Sequence, residues 1–209
     1  YTVDDTRESN EIVFEDTSFS YFNSDEEIFK NVSFSINKNS HVVVTGPNGS
    51  GKSTLLGLSS GLLFPQKGKV SSFSNKYGYV GVAPLIIDGT LRENLLYGNG
   101  KSIQDKIIID YLENFKVFNE DINDNLDQKI SNKTLSSGQL QKVAFIRSLL
   151  SEADILLLDE STSNLDEDSR KLIFDILNNS QYTIINCTHN HQDFEYDDHL
   201  KVLIENEKR

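Results

Sequence analysis

The sequence predicts an α/β fold: a mostly parallel sheet covered by helices, with an N-terminal antiparallel β subdomain and an inserted helical subdomain. Three observations carry that prediction. Short continuous apolar runs with polar tips alternate with amphipathic stretches of helical period. Apolar residues in strict alternation cluster in the first forty positions. A glycine-rich loop follows one apolar run directly and opens a helical stretch.

In chain order, residues 1–10 ("YTVDDTRESN") are polar and patternless, and they read as a linker remnant. "EIVFEDTSFSYF" and "IFKNVSFSI" alternate, with Val32, Phe34 and Ile36 on one face of the second, as antiparallel strands with one wet face do. "HVVVTG" (His41 to Gly46) is a β-branched run ending in glycine, a buried strand entering a turn. "STLLGLSSGLL" then keeps Leu55, Leu56, Leu58, Leu62 and Leu63 at helical spacings. Residues from about 88 to 134 mix Asn, Asp and Lys with helically spaced apolar residues, as in "KIIIDYLENF", and predict the inserted helical subdomain. "DILLLDE" (Asp154 to Glu160) and "YTIINCTH" (Tyr182 to His189) are again continuous apolar runs. Between them "SRKLIFDILNNS" is amphipathic and stops at Asn-Asn. Strands separated by helices require a parallel sheet with both faces covered. Residues 11–209 form one domain in this reading.

Composition narrows the function classes. The 209 residues carry a net charge of −12, against a phosphate-backbone binder, so no nucleic-acid partner is expected. Cys187 is alone, which forbids an internal disulfide and favours a reducing compartment. No run approaches the roughly 18 apolar residues of a membrane span. A chain without Met that begins at Tyr1 reads as a domain cut from a longer polypeptide, with the remainder upstream.

"GPNGSGKST" fits G-x-x-x-x-G-K-[ST] between a β-run and a helix, the setting of a P-loop NTPase core. Gly46, Pro47, Asn48, Gly49, Ser50, Gly51, Lys52, Ser53 and Thr54 form the nucleotide cradle. The glycines let successive N–H groups point inward at phosphate oxygens. Lys52 supplies a mobile charge, and the Ser53 hydroxyl is a hard ligand for Mg²⁺. Downstream, Ile155 to Leu158 deliver Asp159 and Glu160 to a strand tip, where two adjacent acids are costly unless paired or bound to metal. Asp159 is expected to hold Mg²⁺ opposite Ser53, and Glu160 to orient and deprotonate the attacking water.

"LSSGQLQK" (Leu135 to Lys142), ahead of "VAFIRSLL" and "DILLLDE", resembles the signature of the nucleotide-binding domain of ABC (ATP-binding cassette) transporters. Ser136, Gly138 and Gln139 match L-S-G-G-Q, and Ser137 stands where the first glycine is usual. "STSNLD" (Ser161 to Asp166) looks like the family's D-loop, His189 like its switch histidine, and Tyr21 in "FSYF" like the aromatic that stacks on adenine. The resemblance spans about residues 11 to 200. It implies ATP and Mg²⁺ as ligands, and catalytic roles for Lys52, Glu160 and His189. It also implies a second nucleotide-binding domain, whose Ser136–Gln139 segment closes over the ATP held here. A transmembrane partner at the cytoplasmic face follows as well. Read without the family, Ser136 is an ordinary helix cap, His189 a strand-end imidazole, and Tyr21 one of many strand aromatics. Asp166 is placed by the resemblance near the join between the two copies.

One stretch departs from the pattern. "YVGVAPLIIDGTLREN" matches the exporter-type frame, but Val82 stands where the family carries a Gln that reaches the metal and the attacking water. An isopropyl group neither ligates a hard cation nor orients water. Water can fill that ligand position, so the expectation is ATP binding with slower or less tightly coupled hydrolysis. The segment from Gly61 to Tyr79 is also short for an exporter domain. The first reading is therefore the ATPase domain of an exporter-type ABC transporter, its closure relayed to the membrane partner through residues 82–95. Its rivals are a regulatory cassette that binds ATP with little turnover, and a soluble ABC ATPase without transport. The acidic charge and the absence of sustained heptads between Lys52 and Leu135 count against the last.

Overall fold

The structure, a computed structural model, describes residues 10–24, 26–118 and 126–203. The linker reading for residues 1–10 falls almost wholly outside them. Strands β1 (Glu11–Ser20) and β2 (Glu27–Asn37) lead to β3 (His41–Thr45) and helix α1 (Lys52–Ser59). Then come β4 (Lys67–Ser71), β5 (Tyr77–Val80), β6 (Gly89–Thr90), α2 (Leu91–Leu95), α3 (Asp105–Asn114) and β7 (Lys129–Ile130). The chain continues through α4 (Ser137–Leu150), β8 (Ile155–Asp159), α5 (Glu167–Asn178), β9 (Thr183–Cys187) and β10 (Asp198–Lys201).

The central sheet runs β10-β3-β9-β8-β5 with every pair parallel. Its strands read as unbroken apolar runs because each face has its own core. Val43, Leu156, Leu158 and Ile184 point toward the core shared with α2–α5, while Val42, Val44, Ile155, Leu157 and Ile185 point toward α1 and the antiparallel layer. That layer is β2-β1-β4, its alternation setting Phe14 against Phe34 with ring centroids 4.3 Å apart.

The helix after the phosphate loop is shorter than the leucine spacing predicts. It ends at Ser59, Gly61 takes a left-handed φ of 72°, and Leu62 is left 80% exposed. Leu63 folds back, its N–H donating to the Gly57 carbonyl at 3.0 Å, so leucines beyond the glycine cap pack as a return loop. Between residues 88 and 134 lie α2, α3 and the two-residue antiparallel ladder β6–β7; residues 119–125 of this stretch fall outside the described set. Arg92 on α2 ties the region together by pairing with Asp105 and with Asp127.

Candidate functional site

The C-terminal ends of parallel strands collect the loops of an α/β sheet, and here they collect the sequence-predicted site. The 46–51 loop leaves β3 and opens α1, a helix N-terminus of the kind that favours an anion. Gly51 caps α1 at φ 105°, and a Cβ there would lie 2.5 Å from Ile28 Cγ2. Gly46 is pressed as closely from the other side, where a Cβ would meet the Val202 carbonyl at 2.3 Å. The loop is therefore clasped between β2 and the segment just beyond β10. Lys52 is buried, its ammonium donating to the Gly46 and Pro47 carbonyls at 2.9 and 3.2 Å. Ser50 is buried with its hydroxyl unpartnered, while Ser53 is exposed.

Strand order explains what sits opposite. Because β9 lies between β3 and β8, the second residue past its tip comes between the loop and Glu160. That residue is His189, with Nε2 3.2 Å from Asn48 Oδ1 and 3.3 Å from Glu160 Oε1. Lys52 Nζ lies 4.0 Å from the same Glu160 oxygen, which is buried and has no well-aligned hydrogen bond. Glu160 itself is held at a left-handed φ of 49°, with its N–H donating to the Cys187 carbonyl at 2.8 Å. A non-glycine residue in that region is strained by about 1–3 kcal/mol, and such strain gathers at functional sites. Asp159 ends β8 half-buried beside it. Lys52, Asn48, Glu160 and His189 thus come together, and Asp159 adjoins them through the chain as the residue before Glu160.

Tyr21 follows β1, half-exposed, with its hydroxyl 2.8 Å from Thr54 Oγ1 and its ring edge-on to Phe19. It flanks the first turn of α1. Ser136 serves as the N-cap of α4 in a reciprocal capping box with Gln139. Ser136 and Ser137 are exposed, Gly138 is half-buried, and no hydrogen bond joins residues 136–139 to residues 46–53 among the described residues. Asp166 caps α5 through the Ser169 N–H and hydroxyl, which hold its carboxyl below the usual range.

The segment after β5 shows what sequence reasoning missed. Val82 is 49% exposed, and its loop is held by its backbone rather than by its side chains. Gln141, fully buried, donates to the Gly81 carbonyl at 2.9 Å, and Asn164 donates to the Val82 carbonyl at 3.1 Å. Arg147 reaches the Leu85 carbonyl at 2.7 Å, and Asn94 brackets Ile87 from both sides. These donors come from α2, α4 and the loop after Glu160. The Gln of "QLQK" and the Asn of "STSNLD" were visible in sequence, but their targets were not.

The donor set suits a triphosphate. Lys52, buried and resting on loop carbonyls, is free to turn to an anion, and the unpartnered buried Glu160 oxygen can accept from water. Among the described residues no group of three His, Cys, Asp or Glu could enclose a metal. A serine hydroxyl and an aspartate carboxylate, as Ser53 and Asp159 offer, are hard oxygen ligands of the kind Mg²⁺ takes alongside water and phosphate oxygens.

A parallel sheet with this loop, an acid pair and a histidine at one edge defines a nucleotide-binding P-loop fold. The family model described as ABC transporter matches residues 29–163, and the chain belongs to the ABC transporter family as an exporter-like nucleotide-binding domain. It is 33% identical to the ATP-dependent permease MDL1 of Candida albicans over 93% of this chain and 32% of that protein. It is 31% identical to the ATP-dependent lipid A-core flippase of Idiomarina loihiensis over 82% of this chain and 32% of that one. A bacterial Atm1-family ABC exporter solved with ATP bound shares the fold at a TM-score of 0.82 and 22% identity, across 97% of this chain and 38% of that chain. The chain thus spans about a third of these relatives. Nucleotide binding and ATPase activity are general properties of the family. Among the described residues no helix is long and apolar enough to cross a membrane.

Proposed function

We propose that this chain binds ATP with Mg²⁺ and hydrolyses it to drive translocation through a transmembrane partner. That partner lies upstream in the same polypeptide, and the chain works at the cytoplasmic face of the membrane. The observation that supports this best is the convergence of Lys52, Glu160 and His189 on the space above the loop, within 4.0 Å of one shared carboxylate oxygen. The amides of Gly46–Thr54 cradle the phosphates, and Lys52 exchanges its carbonyl partners for the β- and γ-oxygens. Mg²⁺, held by Ser53 and Asp159, supplies charge neutralisation on the phosphates. Glu160 accepts the proton of the attacking water, its orphaned oxygen being free to do so. His189 donates from Nε2, now shared toward Asn48 and Glu160, to the γ-phosphate. Tyr21, its ring fixed by the Thr54 contact, stacks on adenine.

The exposed Ser136–Gln139 cap is at the N-terminus of a 14-residue helix, where an anion is favoured. It serves the ATP of a second copy or a paralogous domain, so that two ATPs are sandwiched head to tail. Val82, half-exposed and apolar, lowers turnover, and converting it to Gln raises the rate. The same observation favours a second reading, a regulatory cassette that binds ATP with little hydrolysis. Single-turnover hydrolysis by the purified protein separates the two. Glu160→Gln tests the main reading: turnover falls by about a hundredfold or more, and Mg-ATP holds a dimer on sizing. Unchanged turnover, or monomer alone with saturating Mg-ATP, contradicts it.

A further inference from the structure

Asp159 is the last residue of β8, next to Glu160 at the strand end that carries the site. Beside it, Gly81 to Ile87 ("GVAPLII") offer no polar side chain, and the segment is tied down through its own carbonyls. One polar atom of β5 nevertheless reaches the acid: the Tyr79 hydroxyl lies 3.4 Å from Asp159 Oδ2. Register explains how. Strands β5 and β8 run parallel with Tyr79 opposite Leu157, so the ring bridges the rise of two residues, about 6.6 Å, toward the strand tip. A shorter side chain falls short, and phenylalanine spans the gap without a donor. Gly81 leaves room for the ring, since a Cβ there would meet Tyr79 Oη at 2.7 Å. Among the described residues, no other side chain donates a hydrogen bond to this carboxylate.

We infer that Tyr79 is a positioning residue: its hydroxyl donates to Asp159 and aims that carboxylate at the metal, supplying from β5 the polar contact that Val82 cannot make. The inference rests on the Mg²⁺–nucleotide reading given above. Partners that orient a metal ligand are commonly worth tenfold or more in metal affinity. A 3.4 Å contact is long for a bond between two oxygens, so the effect belongs at the low end of that range.

The test uses the purified protein with a non-hydrolysable ATP analogue, titrated with Mn²⁺ as a paramagnetic stand-in for Mg²⁺. Affinity for trinitrophenyl-ATP without metal is measured in parallel. Tyr79→Phe is expected to weaken Mn²⁺ binding about five- to tenfold while metal-free nucleotide affinity stays within about twofold. Adding Val82→Gln to that variant restores most of the loss. Mn²⁺ affinity unchanged in Tyr79→Phe, or weakened only as much as metal-free nucleotide affinity, overturns the inference. Failure of Val82→Gln to restore any affinity overturns the claim that position 79 stands in for position 82. Absence of nucleotide binding by the wild-type protein instead overturns the underlying site reading. Normal nucleotide binding with a silent Tyr79→Phe sinks the Tyr79 inference alone.

Discussion

Replacing Gly51 by alanine perturbs the phosphate loop at the point where it is most tightly held. Two costs apply. At φ 105° an L-residue adopts a left-handed backbone, worth about 1–2 kcal/mol. The new methyl also lands 2.5 Å from Ile28 Cγ2 and 3.3 Å from Phe29 Cζ, an overpacking that typically costs about 1–3 kcal/mol. The Ile28 atom branches at Cβ, so relief requires a rotamer change or a backbone shift. Together the change should destabilise the fold by about 2–5 kcal/mol. With a urea slope near 2 kcal/mol/M, the unfolding midpoint falls by about 1–2.5 M at constant slope. Ile28→Ala in the same background removes the clashing atom, so the paired variant should recover at least about 1 kcal/mol of coupling energy. Nucleotide affinity should fall in Gly51→Ala as the loop shifts. A midpoint unchanged from wild type, or no coupling to Ile28, would refute the claim that the antiparallel layer clasps this loop.

Other outcomes follow from single contacts. Gln141→Leu leaves the buried Gly81 carbonyl without its donor, a loss of about 1–3 kcal/mol, and thermal melting should place it at the low end because Gln141 Oε1 is itself unpartnered. Asp166→Ala removes the α5 cap and costs about 1 kcal/mol near neutral pH. Its carboxyl is held low by Ser169, so the cap's stabilisation is complete above the ordinary carboxylate range and drains away as pH falls below about 4. Chemical denaturation at pH 7 and pH 3 should show the variant and wild type converging in acid. Cys187 is fully buried with its thiol pushed far up by that burial, so disulfide reagents should label it only after unfolding.

The parts of the fold legible in sequence were those whose pattern is local. Ile155–Leu158 and Val42–Val44 are apolar on both faces because both faces are buried, and the runs said so. The 46–54 loop is legible for the same reason, since one contiguous segment carries both its turn and its chemistry. Two edge strands escaped notice. "DHLK" of β10 and "KGKVS" of β4 are polar and short, as the borders of sheets tend to be. Leu62 and Leu63 kept helical spacing past a glycine that ends the helix, and the period alone could not register the stop. In the site, the acid tip and the histidine were placed by their strands. The hold on residues 81–87 was invisible because its donors sit on three distant elements and its acceptors are carbonyls, which every residue has. Tyr79 opened the stretch "YVGVAPLIIDGTLREN", but only the β5–β8 register brings its hydroxyl to Asp159.

The most direct measurement is a crystal structure of the protein grown with Mg²⁺ and a non-hydrolysable ATP analogue. Each triphosphate should lie within hydrogen-bond reach of Lys52 from one copy and of Ser136 or Gly138 from a second copy, with Glu160 and His189 facing the terminal phosphate. A bound analogue enclosed by a single copy, with Ser136–Gln139 of every neighbour turned away from it, would contradict the shared site and the ATP-driven closure that depends on it.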